Sequence, residues 1–160
     1  MEATEVIQTI TAYEHVKHVE AEGNHFFFYD PGPHLGANHR LPFATLVTSD
    51  AYDRASQLDR PGVYRLNIGL TPETYRRLFG TPPAATREMN VVDTGHDPTI
   101  LDELMPHPVY APLFWVCVLS PSATTFETLR PLLEEACTVA ARRARARARR
   151  AGSAEETTSS

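Results

Sequence analysis

The stretch Met105-Pro106-His107-Pro108-Val109-Tyr110 sets a histidine between two prolines, directly ahead of the apolar run Phe114-Trp115-Val116-Cys117-Val118-Leu119. An unperturbed imidazole titrates near pH 6.5, so it can give or take a proton at neutral pH. Proline fixes its own φ and biases the residue before it toward extended backbone. His107 is therefore held on a short, stiff bend beside a core strand, as acid–base chemistry requires. The plain alternative is a loop histidine that bonds the backbone and braces the bend.

Arg65 and Asn67 form a second candidate pair. In Val63-Tyr64-Arg65-Leu66-Asn67-Ile68-Gly69 the side chains alternate. Tyr64, Leu66 and Ile68 share one face, and Val63, Arg65 and Asn67 the other. A guanidinium and an amide on one strand face can hold a carboxylate, a phosphate or a carbonyl oxygen. The plain alternative is a solvated strand with Arg65 paired to an acidic neighbour. His25 and Tyr29 share a face with Phe27, and Tyr64 and Tyr110 bring further hydroxyls. Polar-tipped aromatics suit a small-molecule pocket and suit a core equally well. The reading that follows gives catalysis to His107, Tyr110 and Arg65, and substrate contact to Asn67, His25, Tyr29, Tyr64 and Trp115. Asp50, Tyr52 and Asp53 reach the rim of that pocket or form a solvated turn.

No cofactor or metal is expected. The chain lacks His-x-His, His-Glu-x-x-His and Cys-x-x-Cys, the spacings that assemble a zinc site. His34, His39 and His96, with Asp97, can meet only if their loops converge. The glycines form no phosphate-binding loop. Cys117 falls in a core strand and Cys137 on a helix, and neither resembles an activated thiolate.

These groups need a scaffold, and the pattern supplies one. Residues 4–14 read as an amphipathic helix capped by Thr4. Strands around Val19–Glu22 and His25–Asp30 form a hairpin about Gly23-Asn24. Residues 31–42 are a loop and Phe43–Thr48 a strand. Ser49–Leu58 suggests a helical turn. Thr71-Pro72-Glu73 opens a helix that Gly80 stops. Residues 80–98 read as a loop with a short strand near Val91, and residues 98–104 as one or two helical turns. Phe114–Leu119 is the last strand. Thr124 or Thr125 caps a long helix with Phe126, Leu129, Leu132, Leu133 and Ala136 on its apolar side. That helix is expected to stop near Gly152, with a disordered tail beyond. The order implies an α+β domain with a mainly antiparallel sheet flanked by helices and a long C-terminal helix.

A chain of 160 residues with 42% hydrophobic content suits one domain with a real core. The domain is read as residues 1–141, and residues 142–160 as an arginine-rich helical extension and tail. No apolar run is long enough to span a membrane, and the acidic start is unlike a signal peptide. Two lone cysteines fit a reducing compartment, so a cytoplasmic location is expected. The net charge of −5 is uneven. Six of the fifteen basic residues lie in Arg142–Arg150, and two of the twenty acidic ones, Glu155 and Glu156, lie beyond; nine against eighteen remain over residues 1–141, a net of −9. The tail can neutralise several phosphates. The acidic body opposes DNA, and no aromatic interleaves the arginines to stack bases.

Together, Phe26–Asp30, Phe43–Val47, Arg60–Gly69 and Met105–Tyr110 resemble a domain family of unknown function common in actinobacteria, with the Met-Pro-His-Pro-Val-Tyr segment as a motif. The likeness covers about residues 4–140. More distantly, the layout is similar to the MmcQ/YjbR-like proteins, with Trp115 matching a tryptophan that precedes their C-terminal helix. Leu113-Phe114 stand where those proteins carry a lysine, so no role of that lysine passes to this chain. The resemblance implies an antiparallel α+β fold flanked by helices. Some such proteins are labelled DNA-binding, and some sit among antibiotic-biosynthesis genes.

Three functions compete, beside the plain option of a structural or partner-binding domain with no pocket. The first is a small cofactor-independent enzyme acting on an organic metabolite as an isomerase, cyclase or dehydratase, with His107 as acid or base. The second is a non-catalytic module that binds a small ligand in the same pocket. The third is a nucleic-acid-associated protein making weak, nonspecific contacts through Arg142–Arg150.

Overall fold

The alternation over Val63–Gly69 decides the architecture, because it gives the central strand one apolar and one polar face. The computed structural model describes residues 1–32 and 41–158. The elements are α1 (Ala3–Thr11), β1 (Val16–Ala21), β2 (Asn24–Tyr29), β3 (Ala44–Val47), β4 (Arg65–Gly69), α2 (Pro72–Phe79), β5 (Met105–Pro106), β6 (Trp115–Leu119) and α3 (Ala123–Thr158). The six strands form one sheet in the order β1-β2-β3-β4-β6-β5, every neighbouring pair antiparallel. The chain is an α+β fold with a long C-terminal helix.

The apolar face carries Phe27, Ala44, Leu46, Leu66, Ile68, Val116 and Val118. All three helices supply buried side chains to it, among them Val6 and Ile10, Tyr75, and Phe126, Leu129 and Leu133. Removal of this surface from water is the main drive for the fold. The opposite face carries Thr45, Val47, Arg65, Asn67, Cys117 and Leu119, as the strand register requires. No helix packs there among the described residues. The segment 49–62 crosses it instead, with Leu58 closing a small apolar cluster on Val47 and Leu119.

Several boundaries differ from expectation, each for a local reason. The β1–β2 turn is Glu22-Gly23, with φ of 52° and 79°. Two positive φ values make the two-residue turn that matches strand twist. Asn24 instead begins β2, fully buried, and its side-chain oxygen accepts the Thr48 N–H at 3.0 Å. Helix α1 starts one residue before Thr4, where the Glu5 carboxylate accepts the Glu2 N–H at 2.8 Å. Ser122 rather than a threonine caps α3, its hydroxyl accepting the Thr125 N–H at 3.2 Å. The helix runs past Gly152 to Thr158, because one glycine weakens a helix without ending it. Neither 49–58 nor 98–104 is helical, and no strand forms at Val91. Aspartates hold the first segment: Asp50 Oδ1 accepts from Leu58 N at 2.8 Å and Asp53 Oδ1 from Ala55 N at 3.2 Å. Such side-chain bonds to nearby backbone compete with helix formation. The Thr71–Gly80 signals hold as read, with Thr71 Oγ1 accepting the Thr74 N–H at 3.1 Å and Gly80 at φ 76°.

Gly69 has a packing reason to be glycine. A Cβ there would sit 3.0 Å from Cε2 and Cζ2 of Trp115. Gly69→Ala is expected to cost about 1–3 kcal/mol by overpacking and to shift the emission of the single tryptophan. Unchanged stability and emission would mean that the indole moves aside freely.

Candidate functional site

On the helix-free face, one buried polar cluster joins three segments of chain. Arg65 is 2% exposed. Its Nη2 donates to Asp53 Oδ2 at 2.8 Å and its Nη1 to Asp53 Oδ1 at 3.1 Å. Nη1 also donates to Ser56 Oγ at 3.0 Å, and Nε to Asn67 Oδ1 at 3.0 Å. Asn67 Nδ2 in turn donates to Thr45 Oγ1 at 2.9 Å. β4 aims the arginine and amide inward, β3 supplies the threonine, and the aspartate-pinned 49–58 segment brings Asp53 and Ser56 over the top. The bidentate fork fixes the carboxylate in the guanidinium plane.

Burial pushes the Asp53 carboxyl upward, but the hydrogen bonds and charge of Arg65 outweigh it and leave its pKa below the ordinary carboxylate value. Asp53 is thus an anion, Arg65 a cation, and the pair has no net charge. The neighbouring Cys117 thiol is pushed up to about 12 by its burial and stays protonated.

His107 sits at the margin of this cluster, 1% exposed. Its N–H donates to Trp115 O at 3.0 Å, continuing the β5–β6 ladder by one residue. Its ring Nδ1 accepts two backbone donors, Val109 N at 3.0 Å and Tyr110 N at 2.9 Å. An imidazole nitrogen that accepts carries no proton, so the hydrogen-bond pattern assigns the proton to Nε2. Burial, reinforced by the Arg65 charge and opposed by Asp53, holds the pKa well below the ordinary histidine value. The ring is therefore neutral, with its basic nitrogen occupied. A general base needs a free lone pair and a pKa near the working pH. This geometry instead favours a brace for the bend that also presents one N–H donor. Nε2–H is the ring's one donor.

The structure divides the remaining sequence candidates. Trp115 shares the polar face, half-buried against Gly69. Tyr110 lies beside His107, ring centroids 4.9 Å apart, and is 42% exposed. His25, Tyr29 and Tyr64 lie on the other side of the sheet. His25 stacks on His18 with Nδ1 2.8 Å from His18 Nε2. Tyr29 meets His15 edge-on at 5.9 Å. Tyr64 donates its hydroxyl to Met1 O at 2.8 Å, and burial next to the Glu2 and Glu5 charges pushes its pKa up to about 12. Ser56 and Thr45 complete the cluster without having been sequence candidates, and Asp53, expected at a pocket rim or in a solvated turn, is the ion-pair partner of Arg65. The acidic run at 50–53 was the only available signal, because nothing in a loop composition tells which carboxylate turns inward.

Among the described residues no group of three or more His, Cys, Asp and Glu side chains can hold a metal, and His34 and His39 lie outside those residues. No described helix is long and apolar enough to cross a membrane. The six arginines from Arg142 to Arg150 are all exposed on α3.

A family model described as a family of unknown function (DUF6194) matches residues 1–149. Comparison with curated proteins and with solved structures returned no match.

Proposed function

The chain belongs to the DUF6194 family of unknown function, and for this member we propose that the helix-free sheet face binds a small neutral organic molecule through an oxygen acceptor, with His107 as a neutral hydrogen-bond donor. The observation that carries this reading is the balance of the buried cluster. Its two charges cancel across the Arg65–Asp53 pair, and several of its N–H and O–H groups are left over from the internal hydrogen bonds. Four of the five guanidinium N–H groups are committed, which leaves one at Nη2. One amide N–H of Asn67, the hydroxyl protons of Thr45 and Ser56, and His107 Nε2–H add to it. A site with spare donors and no net charge suits a carbonyl or amide oxygen better than an anion, whose charge it would leave uncompensated.

A buried ion pair is weak evidence for stability, since well-packed apolar groups often do as well. The expense of a polar cluster at this position is one reason to read it as a site. The half-buried Phe26, Phe28 and Trp115 on the same face offer apolar walls. A carbonyl polarised by a neutral imidazole acidifies its neighbouring C–H. Isomerase, cyclase or dehydratase chemistry without a cofactor, in specialised metabolism, is the enzymatic form of the proposal. Ligand binding without turnover uses the same contacts. The sheet with its tryptophan-bearing strand ahead of α3 also supports the distant MmcQ/YjbR kinship. The six exposed arginines support, in second place, weak nonspecific contact with nucleic acid, which the body's net −9 opposes.

The test is a ligand-observed NMR screen of neutral amides, lactones and ketones against matched carboxylic acids. Neutral fragments are expected to bind, to change Trp115 emission, and to lose binding in Asn67→Ala. Preference for the acids, or neutral hits indifferent to Asn67→Ala, would overturn the reading.

A further inference from the structure

A second feature lies on the opposite side of the sheet. The end of α1, the turn into β1, the end of β2 and the middle of α3 enclose an open cleft of about 270 Å³. Tyr13, Glu14, His15, Tyr29, Glu134 and Arg145 are among its walls. The volume falls just under the usual range for drug-sized ligands, about 300–1,000 Å³.

Three observations point to a ligand. The Tyr13 hydroxyl oxygen is buried and makes no close, well-aligned hydrogen bond among the described residues; the Arg130 side chain is its hydrogen-bonding neighbour, and the Glu134 charge also acts on it. Burial and Glu134 both raise its pKa, so it is a neutral phenol. His15 takes φ of 62°, a conformation uncommon outside glycine. That backbone places its ring edge-on to Tyr29 and its Nε2 3.2 Å from Glu14 Oε1, while its carbonyl accepts Asp30 N at 2.7 Å. The charged side chains lie toward two ends of the cleft, Glu134 with Arg130 near it at one and Arg145 at the other. Glu134 and Arg145 lie on the same helix with Cα atoms about 16 Å apart at 1.5 Å per residue. Glu14 adds a second carboxylate from the α1 side.

We infer that this cleft binds a short extended zwitterion, a peptide-like molecule with its ammonium between Glu14 and Glu134 beside the tyrosine rings, and its carboxylate on Arg145. Ammonium groups favour carboxylates and the faces of aromatic rings, and a guanidinium favours a carboxylate. A free α-amino acid is too short to reach both ends. Two to three extended residues span about 7–10 Å, which side chains reaching along the helix can meet. The neutral Tyr13 phenol is placed to bond a peptide amide or carbonyl.

Triglycine is the probe, read by calorimetry on the full chain, with N-acetyl-triglycine and triglycinamide as the forms lacking one charge each. Triglycine is expected to bind with Kd near or below about 1 mM, and each cap to weaken binding by about tenfold or more. Glu134→Gln is expected to reproduce the loss from acetylation and Arg145→Gln the loss from amidation. Both residues are exposed, so both variants should melt as the parent does. No saturable binding of triglycine, or binding that survives either cap, would overturn the zwitterion site. Asn67→Ala, on the far face, should leave triglycine binding unchanged; loss of binding there would also count against a separate site.

Discussion

Arg65→Ala is expected to lower the unfolding free energy by about 3–5 kcal/mol, the range for breaking a buried ion pair by removing one partner. Arg65 is 2% exposed and the Asp53 side chain 12%, so solvent offers little rescue to the carboxylate left behind. Urea denaturation at pH 7 is the direct measure. The Asp53→Ala, Arg65→Met double variant should recover much of the loss, because it leaves neither charge alone. A strict sum of the two single effects would mean that the groups do not interact.

The same pair fixes a pH signature. In the parent, Asp53 titrates below its ordinary value because Arg65 overcomes burial. A depressed carboxylate pKa contributes stability above the unfolded value of 3.8, and that contribution disappears as pH falls through the folded value. In Arg65→Ala the burial effect acts without its main opponent, so the folded pKa should rise above the unfolded one. The sign then reverses: the folded state binds the proton more tightly, and this group should cost stability as pH rises from 4 toward 7. Parent and variant should therefore diverge with pH. Parallel curves would show that Arg65 does not control the ionisation of Asp53.

That pair also marks the limit of what the sequence makes legible. Strand alternation placed Arg65 and Asn67 on one face and Tyr64, Leu66 and Ile68 on the other, and the structure has them so. Local rules also located α2, because Thr71, Pro72 and Gly80 act within a turn of the residues they cap. The partner of Arg65 comes from a loop twelve residues earlier, where the inward turn of Asp53 depends on backbone bonds without periodicity. The face shared by His25 and Tyr29 was readable, but not which side of the sheet the helices would cover. That choice belongs to tertiary packing. β5 has two residues, too few for any alternation to register.

His107 is the place where local chemistry and tertiary context most need separating. His107→Ala is expected to cost about 2–4 kcal/mol, since it opens a cavity and leaves the Val109 and Tyr110 N–H groups without their acceptor. His107→Asn keeps an oxygen near the position of Nδ1 and should recover a large part of that loss. Recovery by asparagine distinguishes a brace from an acid–base group, because an amide cannot titrate.

The pH dependence supplies an independent reading. The folded pKa of His107 lies well below the ordinary value of 6.5. Above pH 6.5 both folded and unfolded states hold it neutral, and it contributes no slope. As pH falls below 6.5, the unfolded state takes up a proton that the buried ring refuses. Stability should then drop by about 1.4 kcal/mol per pH unit from this residue, until the folded value is reached. His25, also depressed through burial, adds a slope of the same sign, so the informative quantity is the difference between parent and His107→Asn. That difference should vanish above pH 7 as a slope and grow between pH 6.5 and 5. If His107→Asn retains the full acid sensitivity of the parent, the ring titrates in the folded state near its usual pKa. His107 would then hold a usable proton at neutral pH, and general acid–base catalysis would displace the neutral donor as its role.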